Sequence, residues 1–218
     1  MGWAARELGE VSEAFVEFAG RCGLPVLDVG TGYGLAAEAA WRAGAEVIAN
    51  DLDGEHLEEL AERMTVRIGE FPRDLHFAEG SLGAVHAAAV FHFLNGRKLE
   101  HGFRAIGRWL APGGKLFVEA SSPFQAPFAG FHEEYAARVA RGERWPGWVV
   151  KIGAYSKHRH LGLMPPSLHL LDEAVLRRLC EEQAGLQVER VWLHRRRDLS
   201  VTLQLDGRET VGLIAQKV

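Results

Sequence analysis

Three glycines at alternate positions, directly after a short apolar run, are the residues of this 218-residue chain best placed to receive a ligand. The run Val26-Leu27-Asp28-Val29 leads into Gly30-Thr31-Gly32-Tyr33-Gly34. Glycine permits a sharp turn and lets a ligand approach where a Cβ atom would clash. The dinucleotide-binding motif requires a glycine at position 35, where this chain has Leu35. The spacing therefore predicts a ligand-binding turn between a strand and a helix.

A pair of acids follows the next predicted strand. Residues Glu46 to Asn50 are typical of a buried strand, and Asp51-Leu52-Asp53-Gly54 comes directly after them. A carboxylate at the end of the second strand of such a sheet can accept hydrogen bonds from both hydroxyls of a ribose. Asp51 and Asp53 are the two candidates for that role.

The acid before G-x-G-x-G resembles motif I of the class I S-adenosylmethionine-dependent methyltransferases, and further segments resemble the same family in the same order. Asn50 to Asp53 is similar to the segment after the family's second strand, and Asp51 fits the family position best. Val90 to Leu94 is similar to its apolar segment with an embedded histidine. Arg108 to Leu116 is similar to its passage from a helix through P-G-G into a strand. The resemblance implies S-adenosylmethionine as the cofactor.

The resemblance also assigns roles to residues of the cofactor site. Asp28 would bind or orient the ammonium group of the methionine moiety. Glu70 would accept the adenine amino group, with Asp74 as its rival on the same loop, and Phe71 would line one face of the ring. The complete set of cofactor-binding residues implied in this way is Asp28, Gly30, Thr31, Gly32, Gly34, Asp51, Leu52, Glu70, Phe71 and Ala89.

His92, in the apolar segment after the fourth predicted strand, is the candidate catalytic residue. A sulfonium methyl group is already electrophilic, so the protein must chiefly align the acceptor and exclude water. Histidine titrates near neutral pH, so His92 could take a proton from a hydroxyl or amine acceptor or orient it. The alternative is that His92 only packs between Phe91 and Phe93. This strand end has no hard oxygen ligands, which predicts a metal-independent reaction.

A long connection after the fifth predicted strand, residues 121–171, predicts a cap over the active site. The cap is rich in aromatic residues with a few basic ones, a composition suited to a flat or anionic substrate. The alternative is that these aromatic residues form the cap's own small core. The candidates for holding the methyl acceptor are Trp145, Lys151, Tyr155 and Arg159.

The elements that must position these residues alternate between strand and helix. The pattern predicts an α/β fold, with a Rossmann-like, doubly wound, mostly parallel sheet of seven strands and an antiparallel last strand. We expect residues 1–218 to form one domain that includes the cap. We also expect helices from Ser12, as N-cap, to Ala19 and from Gly54 to Met64, and an additional strand from Val201 to Leu205.

The composition agrees with a small cytoplasmic enzyme. Hydrophobic residues make up 47% of the chain, without a run of bilayer length, and the two cysteines lie far apart. A net charge of −4 argues against a general nucleic-acid binder. We therefore expect a methyltransferase for a small-molecule acceptor, with the acceptor atom (oxygen, nitrogen or carbon) and the oligomeric state left open. The alternatives are an RNA or protein methyltransferase and a non-catalytic protein that binds S-adenosylmethionine.

Overall fold

The computed structural model describes residues 7–156 and 165–218, which fold around one seven-stranded sheet. The strands of this sheet are β1 (Val26–Val29), β2 (Val47–Asp51), β3 (Thr65–Ile68), β4 (Leu82–Ala88), β5 (Leu110–Ser121), β8 (Leu186–His194) and β9 (Thr210–Lys217). A separate antiparallel pair consists of β6 (Trp148–Val149) and β7 (Leu168–His169). The α-helices are α1 (Glu10–Ala19), α2 (Leu35–Arg42), α3 (Gly96–Trp109), α4 (His132–Ala140) and α5 (Glu173–Leu179).

The strand order is β3-β2-β1-β4-β5-β9-β8. Strands β1 to β5 pair in parallel, whereas β9 is antiparallel to both β5 and β8. This order confirms the expected doubly wound sheet with an antiparallel last strand. The chain changes direction across the sheet between β1 and β4, so the carboxyl ends of these two strands flank a topological switch point, where open α/β sheets bind their ligands.

Helices cover both faces of the sheet, which explains why its central strands are apolar without alternation. Alternate residues of β1 face opposite cores: Val26 packs into a cluster with residues of α1 and α2, and Leu27 packs into a cluster with residues of α3 and α5. Phe15 of α1 and Phe103 of α3 are fully buried, one in each cluster. The sheet is therefore held between two helical layers, and its carboxyl edge faces the connecting loops.

The segment between β5 and α5 forms the cap and has a small core of its own. That core contains Phe128, Phe131, Val149, Ile152, Leu168 and Leu170. Two hydrogen bonds attach the cap near the carboxyl edge of the sheet: Nδ1 of His169 donates to the carbonyl of Leu94 (3.1 Å), and the amide of Leu171 donates to the carbonyl of Ser121 (2.9 Å). The cap thus lies beside the ends of β4 and β5.

Three local predictions were wrong. The first α-helix begins at Glu10 with Gly9 as N-cap, and Ser12 lies inside it. Residues 54–64 form a 3₁₀ turn at Gly54–Leu57 followed by further turns instead of one helix. The backbone hydrogen bonds from the amide of Ala61 to the carbonyl of Leu57 and from the amide of Met64 to the carbonyl of Leu60 do not belong to a continuous helical series. Residues 201–205 form turns instead of a strand. Within residues 7–156 and 165–218, no helix is both long and apolar enough to cross a membrane.

Candidate functional site

The glycine turn lies at the carboxyl end of β1 and is held by its own polar atoms. The hydroxyl of Thr31 donates to the carbonyl of Asp28 (2.8 Å) and accepts from the amide of Asn50 (3.2 Å), which joins the turn to β1 and β2. Gly30, Gly32 and Gly34 all have positive φ, at +64°, +55° and +82°. An L side chain rarely adopts this backbone. Thr31 therefore shapes the turn through the two hydrogen bonds of its hydroxyl group.

Gly32 differs from its two neighbours in what a side chain would meet. A Cβ atom at Gly30 would lie 2.3 Å from Cγ2 of Val90, and one at Gly34 would lie 2.7 Å from Cδ2 of Leu60. A Cβ atom at Gly32 would meet nothing within 4 Å. The outer two glycines permit close packing within the protein, whereas Gly32 borders open space that is available to a ligand.

The carboxylate of Asp51 points back to this turn from the end of β2. Its Oδ2 atom accepts a hydrogen bond from the amide of Gly32 (2.8 Å), and its Oδ1 atom accepts from the amide of Asp53 (3.0 Å). Asp53 itself caps the following 3₁₀ turn by accepting from the amide of Glu55 (3.1 Å). Of the two acids, Asp51 is the one brought against the glycine turn.

Three large apolar side chains around the same edge are exposed. Tyr33 follows Gly32 in the turn, Leu52 follows β2, and Ile68 ends β3; their side chains are 72%, 70% and 65% exposed. Apolar groups exposed together at the ends of adjacent strands are typical of a surface that a ligand covers. Leu52, which the sequence predicts in the cofactor site, therefore lies where a flat apolar ring could rest.

Asp28 is buried and bound inside the protein. Its Oδ1 atom lies 2.6 Å from Nδ1 of His86 on β4, and Nε2 of His86 lies 3.0 Å from the hydroxyl of Ser12 on α1. Phe15 stacks on the imidazole, with ring centroids 4.6 Å apart. All three polar side chains are buried. This Ser-His-Asp arrangement has no access to solvent for a nucleophile, so its direct effect is to join α1, β4 and the motif strand β1.

The loop after β3 places its residues differently from the sequence prediction. Phe71 is only 5% exposed and stacks on Phe91 within the core, so its ring does not line the surface of the loop. The carboxylate of Glu70 pairs with Lys98 and, at 3.0 Å, with Arg73. The hydrogen bond from Lys98 holds the pKa of Glu70 below its usual range.

Asp74, the rival of Glu70, supports the backbone of the same loop. It accepts hydrogen bonds from the amide of Glu70 (2.9 Å) and from the guanidinium of Arg73 (2.8 Å). The Arg73 hydrogen bond, followed by that of the Glu70 amide, lowers the pKa of Asp74 to about 2. Asp74 therefore fixes the loop, and Glu70 is the acid left at its partly exposed edge.

The end of β4 carries a backbone conformation that is rare for a residue with a side chain. Ala89 has φ +59°, and its amide donates to the carbonyl of Glu119 on β5 (2.8 Å). Such conformations cost free energy and concentrate at functional sites. The next residue, Val90, contacts Gly30, so Ala89 lies beside the glycine turn.

His92 follows in a 3₁₀ turn and is nearly buried, with Nδ1 accepting a long hydrogen bond of 3.4 Å from the amide of Ser121. Its ring also packs against Phe93, with centroids 4.2 Å apart. Burial, with a further contribution from the positive charge of Arg196, lowers the pKa of His92 to about 4. At neutral pH the imidazole is uncharged, and the bond to Nδ1 leaves its proton on Nε2.

The four cap residues predicted to hold the methyl acceptor do not lie together. Trp145 packs against α3, where a Cβ atom at Gly96 would lie 2.3 Å from its ring, and the guanidinium groups of Arg144 and Arg178 lie 5.4 Å and 5.2 Å from its ring centroid. It therefore anchors the cap to the body. Lys151 and Tyr155 line an open cavity of about 400 Å³ formed entirely by cap residues. Arg159 lies outside the described residues.

Sequence reasoning missed a charged cluster at the end of β5. Glu119 is buried, and its Oε1 atom lies 3.3 Å from Nε of Arg196, which also binds Asp198 at 2.7 Å. His194, at the end of β8, lies on the other side, with Nε2 3.6 Å from Oε2 of Glu119. In the sequence, the basic run at 194–197 fits either a solvated strand end or a contact with an acidic substrate or partner. An acid within the apolar strand segment Phe117-Val118-Glu119-Ala120 was the signal that could have identified the cluster.

Comparison with known proteins finds a family model that matches part of the chain. Residues 26–114 match the family model described as a methyltransferase domain. This range begins with β1, includes the glycine turn, Asp51 and the strand β4, and ends at the P-G-G sequence within β5. No curated protein sequence matches the chain.

Several solved structures share the whole fold. A methyltransferase from Mesorhizobium loti described as S-adenosylmethionine-dependent is 18% identical, with 94% of this chain and 95% of that chain covered and a TM-score of 0.66. One from Methanosarcina mazei is 16% identical, with 97% and 99% covered and a TM-score of 0.69. Geranyl diphosphate C-methyltransferase from Streptomyces coelicolor A3(2), solved with Mg²⁺, geranyl diphosphate and S-adenosyl-L-homocysteine, is 15% identical, with 95% and 79% covered and a TM-score of 0.61.

The matched domain, the seven-stranded sheet and the open glycine turn at its switch point agree with one another. Residues 26–114 match a methyltransferase domain, and the chain as a whole shares its fold with solved structures described as S-adenosylmethionine-dependent methyltransferases.

Proposed function

We propose that this protein transfers a methyl group from S-adenosylmethionine to a small-molecule acceptor beside the ends of β4 and β5, without a metal ion. The observation that supports this most directly is the open space at Gly32, beside the carboxylate of Asp51. Among the described residues, no group of three or more His, Cys, Asp or Glu side chains could hold a metal ion.

The residues at this edge fit the chemical parts of the cofactor. Asp51 would accept the ribose hydroxyls, and Leu52, with its exposed side chain, would contact the adenine. The turn from Gly30 to Gly34 leaves room for close approach, and the backbone at Ala89 would line the other side of the methionine moiety. Glu70 remains the candidate for the adenine amino group, provided that it releases one of its two cationic partners.

The bound cofactor supplies an electrophilic methyl group on a sulfonium ion. The protein's own contribution is to hold the acceptor in line and to keep water away. His92 is placed for this task beside the end of β4, where its Nε2–H would donate a hydrogen bond to the acceptor. Its lowered pKa of about 4 makes it a weak base, so we propose that it orients the acceptor and does not remove the proton.

A small acceptor is favoured by the cap and by the charge of the chain. The cap attaches beside His92 and Ser121, which favours an enclosed site. The net charge of −4 supplies no general electrostatic attraction for a nucleic acid. One similar structure, the geranyl diphosphate C-methyltransferase, contains a small-molecule substrate. These observations support a metabolite over a macromolecule, while the acceptor atom stays open at this level.

Calorimetry and a transfer assay test this proposal. We expect S-adenosylhomocysteine to bind the purified protein. We also expect S-adenosylhomocysteine to form from S-adenosylmethionine when a metabolite extract freed of macromolecules is added, with EDTA present. Binding without turnover in any extract would favour a non-catalytic protein. Turnover only with tRNA, rRNA or protein would favour a macromolecular acceptor, and loss of turnover in EDTA would contradict the metal-independent reaction.

A further inference from the structure

The connection between β3 and β4 leaves a cavity beside α3. Parallel strands of one sheet are usually joined through a helix, but residues 69–81 form turns and irregular segments. The connection follows α3 in the same direction. A Cβ atom at Gly102 would lie 2.5 Å from the ring of Phe71, and Phe77 meets Trp109 edge to face, with ring centroids 5.0 Å apart. Because the connection is thinner than a helix, an open cavity of about 350 Å³ remains between it and α3.

The cavity has an apolar floor and a polar rim. Leu75, Ala105 and Trp109 form the floor and are each at most 3% exposed. The rim residues are exposed, so a ligand can reach the cavity from solvent; they are Arg73, His76, Glu79, His101 and Arg108. A floor of this kind accepts a flat apolar group, while the rim is available to a polar group of the same ligand.

The rim and the adjoining face of α3 are basic, although the chain has a net charge of −4. The exposed face of α3 carries a row of basic side chains at helical spacing: Arg97, His101, Arg104 and Arg108. Neither Arg97 nor Arg108 has an ion-pair partner among the described residues. Glu79 is the one acid among the described residues that line the cavity. The local charge therefore favours an anionic ligand.

The chemistry of the rim favours a phosphate over a metal ion. A guanidinium group such as that of Arg108 matches the oxygens of a phosphate with pairs of hydrogen bonds. Histidine and glutamate are also metal ligands, but within the described part of the chain no group of three or more His, Cys, Asp or Glu side chains could hold a metal ion. Because the floor offers a place for a flat ring, the cavity suits a small aromatic phosphate.

Arg73 joins this cavity to the candidate cofactor site. Its Nη1 atom lies 3.0 Å from Oε2 of Glu70, and its Nε and Nη2 atoms donate to Asp74 at 2.8 Å and 2.9 Å. The Arg73 side chain is 70% exposed, and exposed ion pairs contribute little to stability, so it can turn toward the cavity. Asp74 then keeps the hydrogen bond from the amide of Glu70, and the carboxylate of Glu70 keeps only Lys98.

We propose that this cavity binds a small aromatic phosphate and that its binding strengthens the binding of S-adenosylmethionine by drawing Arg73 away from Glu70. This inference rests on the proposed function, in which Glu70 accepts the adenine amino group. The phosphate binds Arg108 and Arg73, and the ring covers the floor at Trp109. With one cationic partner fewer, Glu70 has an oxygen available for the adenine. Linkage is reciprocal, so the cofactor also strengthens binding of the phosphate.

Calorimetry with phenyl phosphate tests the site directly, at constant ionic strength in a buffer free of phosphate. We expect the parent to bind phenyl phosphate more tightly than it binds phenol or inorganic phosphate, because each of these lacks one half of the ligand. Arg108→Gln should raise the Kd for phenyl phosphate by about 10-fold or more. Absence of binding by the parent, equal binding of inorganic phosphate, or an unchanged Kd in Arg108→Gln overturns the proposal.

Two control variants locate the bound phenyl phosphate. Arg104→Gln, one helical turn from Arg108 on α3 and outside the cavity, should bind it as the parent does. Lys151→Gln should also match the parent, because Lys151 lines the separate cavity in the cap. A loss of affinity in Lys151→Gln would place the probe in the cap, and a loss in Arg104→Gln equal to that in Arg108→Gln would show only general attraction to α3. Either result overturns the proposal.

The coupling is tested by the Kd for S-adenosylhomocysteine. Saturating phenyl phosphate should lower this Kd by about 5-fold or more in the parent and leave it unchanged in Arg108→Gln. Arg73→Gln should imitate the bound phosphate: without phenyl phosphate its Kd should already lie below that of the parent, and phenyl phosphate should not lower it further. Glu70→Gln should bind phenyl phosphate but show no coupling. An unchanged or raised Kd in the parent contradicts the inference.

These measurements separate the failure of this inference from the failure of the proposed function. If S-adenosylhomocysteine binds the parent and phenyl phosphate does not, the inference alone is wrong. If phenyl phosphate binds at Arg108 and S-adenosylhomocysteine does not bind, the proposed function is wrong, and the coupling is wrong with it.

Discussion

The carboxylate of Asp28 and the imidazole of His86 are joined by a buried hydrogen bond of 2.6 Å between Oδ1 and Nδ1. The bond links the strand that carries the glycine motif to β4, and Ser12 extends it to α1 at 3.0 Å. The motif acid is therefore held from the protein side, and its orientation depends on two elements that are distant in sequence.

Removal of His86 should destabilise the protein more than neutralisation of Asp28. His86→Leu leaves a buried carboxylate without this partner, so we expect the free energy of unfolding to fall by about 3–5 kcal/mol. Asp28→Asn retains a polar group and should cost about 1 kcal/mol. Urea denaturation of both variants checks this, and an equally small loss in both would show that the pair contributes little to stability.

Alanine variants of Gly23, Gly30 and Gly32, which all have positive φ, should distinguish effects on cofactor binding from effects on folding stability. Gly32→Ala and Gly23→Ala, both in open space, should each lose about 1–2 kcal/mol of stability from left-handed backbone. Only Gly32→Ala should also weaken S-adenosylhomocysteine binding, because its methyl group enters the ligand space. Gly30→Ala should lose a further 1–3 kcal/mol, roughly, from the clash with Val90. Calorimetry and urea denaturation measure the two effects, and normal binding by Gly32→Ala would refute the assignment.

Asp51 and Asp53 should differ in the same binding measurement. Asp51→Ala removes the proposed ribose acceptor, so the Kd for S-adenosylhomocysteine should rise by about 10–100-fold. Asp53→Ala removes a helix cap, so it should reduce stability by about 0.5–2 kcal/mol and leave the Kd nearly unchanged. If Asp51→Ala binds as tightly as the parent, the ribose assignment is wrong.

His92 should act as a hydrogen-bond donor in turnover. We expect His92→Ala to keep the affinity for the cofactor and to lose most of the turnover, whereas His92→Gln, which keeps a donor, should retain more. The pKa of about 4 also means that the pH profile of kcat should show no His92 ionisation near pH 6.5. Steady-state assays of the three proteins check this, and unchanged turnover in His92→Ala would remove the residue from the mechanism.

Stability should fall on acidification, partly because of His169. Burial lowers its pKa from 6.5 to about 4, so between these values the unfolded chain binds more protons than the folded protein. The free energy of unfolding is therefore highest above pH 6.5 and falls toward pH 4, with up to about 3 kcal/mol from this residue. His169→Gln should flatten this slope in urea denaturation, whereas the exposed control His101→Gln should not. Equal slopes in the parent and His169→Gln would contradict the prediction.

The sequence by itself determined the class of fold and pointed to the residues of the candidate cofactor site. The spacing of Gly30, Gly32 and Gly34 and the acid after β2 are local features, because each depends on residues that are adjacent in the chain. Helical or strand periodicity located most of the elements for the same reason. Periodicity predicted a helix wrongly at residues 54–64. Leu57 and Leu60 are buried there at helical spacing, although the backbone forms separate turns.

Only the tertiary structure decided which distant side chains meet. Glu119 and Arg196 are brought together by the pairing of β5 and β8 with β9, and Asp28 meets His86 through the register of β1 and β4. Phe71 shows the converse: its position in the loop matched the resemblance, but packing against Phe91 took its ring into the core. Register and burial are properties of the whole sheet, so no local spacing contains them, and the charged cluster at Glu119 became visible only once the strands were paired.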